Sequence, residues 1–256
     1  MDVLNAIILG LLQGATEFLP VSSSAHLVIG QHLLGIDSPG VLLEIMLHLG
    51  TLLSVVVYFR RDIVALLAGA LDRSADGAPA RREIGFLALA TLPAVLVALI
   101  LPEAVDAAFE SVAFVGWMLL VTSLVLVSSR WTGGEAGLLT VRIALLIGLA
   151  QAFAILPGIS RSGATIVAGL WLGLAGTTAA RFSFLMAIPA ILGAALFKLA
   201  GGVPAEALPS LAIGVAVAAL TGYAIIAWLM RLIGQGRLYL FAGYTLLAGL
   251  VVIFTL

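Results

Sequence analysis

One stretch of this sequence decides the fold, and it reads QGATEFLPVSSSAH over residues 13–26. A second stretch with the same plan reads QAFAILPGISRSGAT over residues 151–165. Gln13 corresponds to Gln151 at an offset of 138 positions (151 − 13), and the serine clusters share that offset. Each copy has an apolar helix, a proline break, a serine cluster and another apolar helix. In a very apolar chain, a duplicated broken segment indicates a midplane site between two repeats.

The composition is that of a membrane protein. Of the 256 residues, 62% are hydrophobic and only 10% are charged, and the mean hydropathy is +1.24. A water-soluble core cannot use so much apolar surface, so we predict an all-α polytopic membrane protein with one membrane domain over residues 1–256. The chain has no cysteine, which excludes disulfides, thiolate catalysis and cysteine metal sites. We expect membrane lipids as partners and no nucleic acid.

Ten apolar segments are predicted as helices, and four of them are too short or too interrupted to cross a bilayer. A full crossing needs about 20 apolar residues. Segments one and two, and segments six and seven, meet at the proline and serine breaks, so we predict that each pair forms a re-entrant hairpin lining a protein cavity. The other six are predicted as full transmembrane helices, three per repeat. The ten segments are 3–19, 23–35, 40–59, 84–101, 111–129, 140–156, 161–175, 180–199, 206–231 and 237–256.

The arginines fall in alternate loops. They cluster at residues 60–82, 130–142 and 231–237, whereas the opposite loops carry Glu103, Asp106, Glu110 and Glu206. The positive-inside rule places the arginine loops in the cytoplasm. Hairpin one then enters the membrane from outside and hairpin two from inside. Three crossings per repeat make the repeats inverted, and the two serine-rich tips are predicted to meet in mid-membrane.

We place repeat one at residues 1–130 and repeat two at residues 138–256. An ancient duplication without a shared site is the alternative, although two broken, serine-rich tips are costly at lipid depth without a purpose. The glycine pairs Gly10–Gly14 and Gly169–Gly173 predict close helix packing. We expect that packing inside each hairpin, and a homodimer contact is the alternative use.

Arg161 is the one arginine well inside an apolar region. A cation within the membrane predicts a functional site, because burying it without a partner is expensive. Its planar guanidinium can bind phosphate through two parallel hydrogen bonds. Ser160 or Ser162 can cap the next helix, whose free N–H groups also favour an anion. We predict a phosphate site at Arg161, and a structural ion pair with Glu17 is the alternative.

Gln13 and Glu17 lie four residues apart, so they share a helix face directed at the serine cluster. Glu17 is a candidate general base, cation ligand or ion-pair partner of Arg161. The pair Glu44 and His48 is also four residues apart, and we interpret it as helix packing, with a supporting role at the site as the alternative.

The first serine cluster precedes His26. If the second helix starts at Ser22, then Ser23 and His26 share one face, and the imidazole could activate the hydroxyl or protonate a leaving group. At least one of the serines must cap the helix. A structural hydrogen-bonding role for His26 is the alternative. Thr165 could add a further hydroxyl to the site.

The two stretches closely resemble the undecaprenyl-diphosphate phosphatase family of bacterial inner membranes, also called bacitracin-resistance proteins. The motifs are QxxxEFLPVSSSxH from residue 13, PGxSRSGAT from residue 157 and RFSFLMAIP over residues 181–189. The resemblance implies hydrolysis of a prenyl diphosphate lipid to the monophosphate and inorganic phosphate. It also implies a divalent cation, Mg²⁺ or Ca²⁺, and a site open to the periplasm. The family's functional residues match Glu17, Ser23, His26 and Arg161.

Position 13 departs from the family pattern, because relatives often have glutamate where this chain has Gln13. A neutral side chain there argues against a mechanism with two carboxylates on this helix. Glu17 is then the candidate metal ligand. The candidate phosphate-binding residues are Arg161, Ser22, Ser160, Ser162, Thr165 and Gln13.

These residues predict a mechanism. Arg161, two helix N-termini and a cation would hold the diphosphate and stabilise the charge of a loose transition state. Ser23 or a water would attack the terminal phosphorus, and His26 or Glu17 would handle the proton. The alternative function is a transporter or flippase of a lipid phosphate or other anion, because inverted repeats with broken helices are typical of transporters.

Overall fold

A computed structural model describes residues 3–34, 41–133, 137–199 and 208–255. These ranges contain helices and no strand. Glu206, which we assigned to a periplasmic loop, lies outside them. The α-helices within them are α1 (Val3–Thr16), α2 (Ser23–Leu33), α3 (Val41–Tyr58), α4 (Arg60–Leu71), α5 (Ala78–Ile100), α6 (Pro102–Glu110), α7 (Val112–Ser128), α8 (Val141–Phe153), α9 (Arg161–Trp171), α10 (Gly176–Leu199), α11 (Leu208–Gly234) and α12 (Phe241–Thr255).

Five helices of the described chain are long and apolar enough to cross a membrane, namely α5, α7, α10, α11 and α12. The sixth predicted crossing is α3, whose apolar part Leu43–Tyr58 is shorter. Helices α1 and α8 have 14 and 13 residues, fewer than the roughly 20 that a crossing needs. The prediction of an all-α polytopic membrane protein is confirmed. The inverted orientation of the repeats stays a prediction.

Hairpin one, formed by α1 and α2, turns through a strained residue. Ser22 has a φ of 68°, and it is the one non-glycine residue in the described ranges with a positive φ. Such backbone costs of order 1–3 kcal/mol and is often found at functional sites. The Ser22 Oγ accepts a hydrogen bond from Ala25 N at 3.4 Å, so Ser22 caps α2 and the helix itself begins at Ser23.

Hairpin two, formed by α8 and α9, turns through Gly158. This glycine has a φ of 98°, and a Cβ at this position would lie 2.5 Å from both the Met118 Cβ and the Val115 carbonyl oxygen. Only glycine therefore fits the turn. Ser160 caps α9, because its Oγ accepts a hydrogen bond from Gly163 N at 3.1 Å. The predicted serine cap of this helix is confirmed.

Each hairpin packs against a long helix from the other half of the chain. Helix α1 contacts α11, and α8 contacts α5. A Cβ on Gly14 would lie 2.7 Å from the Ala218 carbonyl oxygen of α11, and a Cβ on Gly148 would lie 2.6 Å from the Ala90 carbonyl oxygen of α5. Glycines in the short helices thus let two backbones approach closely.

The predicted role of the glycine pairs inside the hairpins was wrong. Gly10, like Gly14, meets α11, and Gly169 of hairpin two meets Ala179 of α10. These glycines let the hairpins pack closely against neighbouring helices. Each hairpin contacts helices from both halves of the chain. The homodimer stays a prediction with no surface assigned to it.

Two helices lie where the sequence predicted loops, namely α4 and α6. An ion-pair cluster ties α4 to the long helices. Arg181 of α10 binds Asp62 of α4, with 2.5 Å between Nε and Oδ1, and also binds Glu83 of α5. The signature that begins at Arg181 therefore fixes the start of α10 against α4 and α5.

Candidate active site

The tips of the two hairpins touch. Ser162 Oγ donates a hydrogen bond to the backbone carbonyl of Leu19 at 3.2 Å. Thr122 of α7 holds the second tip, because its hydroxyl donates to the Gly158 carbonyl at 2.7 Å and accepts from Ser160 N at 3.1 Å. The tips thus meet as the sequence predicted, while their depth in a membrane stays a prediction.

Glu17 lies at the centre of this contact and is only 6% exposed. Its Oε1 forms an ion pair with Nη2 of Arg161. Its Oε2 accepts hydrogen bonds from Ser23 Oγ at 2.6 Å and from Gln13 Nε2 at 3.0 Å. These partners stabilise a buried carboxylate, which would be costly without them. The ion pair considered from the sequence is formed, and Ser23 lies where Glu17 can accept its proton.

The next residue anchors Glu17 in place. Phe18 is 1% exposed and packs edge-on against Phe184 of α10, with ring centroids 5.6 Å apart. In a membrane such packing stabilises the fold through close van der Waals contact. The carboxylate therefore sits on a backbone that is fixed by the core.

Gln13 supports the carboxylate from behind. It is fully buried, and its Nε2 reaches both Glu17 and the hydroxyl of Thr51 on α3, the latter at 3.5 Å. Its Oε1 has no hydrogen-bond partner within the described residues. Gln13 does not line the cavity beside Glu17. Gln13 therefore supports Glu17 in this structure, and its role in phosphate binding stays a prediction.

This cavity has a volume of about 350 Å³. Its polar lining consists of Glu17, Ser22, Ser23, Ser24, Glu44, His48, Ser160 and Arg161. Its apolar lining comes from α3, α6, α10 and the turn between α8 and α9, with Ile45, Phe109, Ala154, Ile155, Ile159, Ala190, Ile191, Ala194 and Ala195. A cavity with one charged end and apolar walls suits a ligand with an anionic head and an apolar tail.

Two of the predicted phosphate-binding residues, Ser162 and Thr165, do not line the cavity. Ser162 bonds to the first hairpin, as described above. Thr165 is fully buried, donates to the Arg161 carbonyl at 2.7 Å and shares a 2.6 Å hydrogen bond with Ser183 of α10. Both hydroxyls thus hold the first turn of α9, and Arg161 with it, in place.

His26 makes no hydrogen bond with the Ser23 hydroxyl in the described part of the chain. Its Nδ1 lies 2.8 Å from the Ser22 carbonyl oxygen and its Nε2 lies 2.6 Å from the hydroxyl of Tyr244 on α12. The His26 and Tyr244 rings stack with centroids 5.6 Å apart. His26 does not line the cavity. The structure pairs Ser23 with Glu17 instead, and a catalytic role for His26 stays a prediction.

His48 of α3 lies at the site, which is the alternative that the sequence left open for it. Its Nε2 lies 3.4 Å from Glu17 Oε2, and both His48 and Glu44 line the cavity. The interpretation of these two residues as helix packing was therefore wrong. Their spacing gives both a place on one helix face, but only the packing of α3 shows which face that is.

Similarity to known proteins extends over nearly the whole chain. Residues 6–251 match the family described as bacitracin resistance protein BacA. This chain belongs to that family. The undecaprenyl-diphosphatase of Syntrophotalea carbinolica is 46% identical to this BacA-family chain, and that of Desulfosudis oleivorans is 44% identical; both matches cover 97% of each chain. The undecaprenyl-diphosphatase of Geobacter sulfurreducens is 41% identical over 97% of this chain and 96% of the relative.

The described residues of this BacA-family cavity offer too few ligands for a divalent cation, so substrate phosphates would have to supply the others. The described residues contain no group of three or more His, Cys, Asp or Glu that could hold a metal. Both oxygens of Glu17 already have partners, whereas the carboxylate of Glu44 makes no hydrogen bond or ion pair within the described chain. Mg²⁺ in phosphoryl-transfer sites is commonly held by one or two carboxylates together with substrate phosphates. Glu44, which lines the cavity, offers one such carboxylate.

Proposed function

We propose that this protein hydrolyses undecaprenyl diphosphate to undecaprenyl phosphate and inorganic phosphate, and so recycles the lipid carrier of cell-wall synthesis. One observation carries the proposal. Ser23, Glu17 and Arg161 form a continuous contact at the charged end of a cavity with apolar walls. The names of the relatives point to the same substrate.

The diphosphate binds at the first turn of α9. Arg161 uses one nitrogen for Glu17, and its other guanidinium N–H groups make no hydrogen bond within the described residues. A guanidinium has five N–H donors, so Arg161 can keep Glu17 and still bind a phosphate oxygen. The side chain is 21% exposed and faces the cavity. Ion pairing and phosphate binding are therefore compatible roles.

Ser23 attacks the terminal phosphorus while Glu17 Oε2 accepts its proton. A bond forms between Ser23 Oγ and phosphorus, the bond from phosphorus to the bridging oxygen breaks, and the departing undecaprenyl phosphate takes the proton from Glu17. Water then cleaves the phosphoserine, with its hydroxyl going to phosphorus and its hydrogen to Ser23. Arg161 and the N-terminus of α9 stabilise the charge on the transferred phosphoryl group.

A divalent cation, Mg²⁺ or Ca²⁺, completes the site. Glu44 would hold it together with the substrate phosphates, and it would neutralise charge on the diphosphate. The prenyl tail lies along the apolar wall of α3, α6 and α10. We place the protein in the bacterial inner membrane with this cavity facing the periplasm, following the distribution of arginines.

The direct test is phosphate release from undecaprenyl diphosphate by the purified protein in detergent, with and without a chelator. We expect release by the wild type, loss with the chelator and restoration by added Mg²⁺ or Ca²⁺. Ser23→Ala serves as the matched inactive control. Binding of the lipid without release of phosphate would contradict the proposal and favour a lipid-phosphate transporter.

A further inference from the structure

We infer that His48 is a positioning residue for Glu17, an inference that rests on the function proposed above. His48 lies on α3, outside both hairpins, and its side chain is 29% exposed and lines the cavity. Its Nε2 faces Glu17 Oε2 at 3.4 Å. This is the oxygen that accepts a hydrogen bond from the hydroxyl of Ser23. A third structural element thus contributes to the geometry of the attacking serine.

The imidazole is held in a defined orientation. Its Nδ1 lies 2.7 Å from the backbone carbonyl oxygen of Glu44. A carbonyl oxygen only accepts, so Nδ1 carries a hydrogen and the ring plane is set; an attractive contact of Nε2 with the Glu17 carboxylate then requires a hydrogen on that nitrogen as well. The Thr51 hydroxyl donates to the His48 carbonyl at 3.0 Å, and Thr51 also contacts Gln13. One turn of α3 therefore presents two side chains to hairpin one.

Glu17 needs a partner besides Arg161 when substrate is bound. The terminal torsion of a glutamate is broad, so the carboxylate rotates unless both oxygens are held. Arg161 holds Oε1, but this guanidinium is also the group that a phosphate would draw towards itself. His48 and Gln13 contact only Oε2. They can keep that oxygen directed at Ser23 when the diphosphate arrives.

The test uses glutamine and asparagine, whose side-chain nitrogens lie at different distances from the backbone. The side-chain nitrogen of glutamine reaches a position comparable to Nε2 of histidine, and that of asparagine a position comparable to Nδ1. We expect His48→Gln to keep kcat within about threefold of the wild type, whereas His48→Asn and His48→Ala lower kcat about 10- to 100-fold, because the carboxylate that accepts the Ser23 proton loses its orientation. KM for undecaprenyl diphosphate should change by no more than about twofold in all three, because the inferred role of His48 is to orient Glu17 and not to bind the substrate.

The matched control is His32→Asn, since His32 lies on α2 and is exposed. It should leave kcat unchanged. Normal kcat in His48→Ala would overturn the inference, as would an equal loss in His48→Gln and His48→Asn, because the ring and not its contact with Glu17 would then matter.

A second measurement does not depend on turnover. The melting temperatures of His48→Ala, Glu17→Gln and the double variant give the coupling between the two residues. A non-zero coupling supports the contact, and additive effects overturn it. If the wild type released no phosphate, the proposed function would fail while this cycle would still decide the role of His48.

Discussion

Arg161 and Glu17 lie 144 positions apart in the sequence and form an ion pair across the tips of the two hairpins. The pair is asymmetric, because the side chain of Glu17 is 4% exposed and that of Arg161 is 21% exposed. The charged Glu17 therefore depends on Arg161 for its stability more than the charged Arg161 depends on Glu17. Neither hairpin could form this ion pair alone, so the proposed mechanism requires both copies of the duplicated stretch.

Replacing Arg161 should cost both activity and stability. Arg161→Ala leaves a buried carboxylate without its cation, and breaking such a pair typically costs about 3–5 kcal/mol. Arg161→Lys keeps the charge but loses the planar fork. We expect both variants to lose most phosphate release, alanine more than lysine. Release assays and thermal unfolding in detergent measure the two effects.

The double variant Glu17→Gln with Arg161→Ala is the control for stability. Removing the stranded charge should restore part of the melting temperature that Arg161→Ala loses, without restoring activity. Near-normal turnover by folded Arg161→Ala protein would show that phosphate binding at this residue is wrong.

Ser23 and Ser24 both line the cavity, but only Ser23 bonds to Glu17. Ser24 shares a 3.1 Å hydrogen bond with Ser22. Ser23→Ala should therefore abolish turnover while lipid binding persists, because the lost step is chemical. Ser24→Ala, the matched control, should keep most of the rate. The covalent mechanism at Ser23 fails if Ser23→Ala retains about a tenth or more of wild-type turnover, a loss of no more than ~1.4 kcal/mol.

The sequence predicted the parts of the site that lie on contiguous motifs. Short apolar segments ending at Pro20 and Pro157 indicated broken helices, since too few residues remain to cross a bilayer. A cation inside an apolar region requires a partner, and Glu17 was the candidate partner of Arg161 on this ground alone. These conclusions depend on the local sequence pattern and on the free-energy cost of burying a charged side chain. Both can be assessed from the sequence alone.

The contacts that sequence reasoning missed are made by helices packed around the hairpins. His48 reaches Glu17 from α3 and Tyr244 reaches His26 from α12, and these contacts depend on how each helix is rotated in the bundle. Helix α6 was missed for another reason. It is short and carries three acidic residues, so a hydropathy pattern does not distinguish it from a loop.

The contact of His26 with Tyr244 separates two roles for the histidine. If Glu17 takes the proton from Ser23, then His26→Ala should lower kcat less than Ser23→Ala does. Tyr244→Phe removes one hydrogen bond and should cost only about 0.5–1.5 kcal/mol of stability, with a smaller loss of activity. Steady-state kinetics of the three variants decide the matter. If His26→Ala is as inactive as Ser23→Ala and remains folded, the histidine is essential to the chemistry and Glu17 alone does not suffice.

The orientation of the chain can be tested directly, because it has no cysteine. Arg73 follows α4, Arg142 lies in the first turn of α8, and both are exposed; Glu103 at the start of α6 is also exposed. Arginine-rich loops stay in the cytoplasm, so cysteines placed at 73 and 142 should react with a membrane-impermeant maleimide only after permeabilisation. Cysteines at Glu103 and Glu206 should react in intact cells, and the cysteine-free parent should not react at all. Labelling of residue 73 from outside, with residue 103 protected, would reverse the orientation and place the opening of the cavity on the cytoplasmic side.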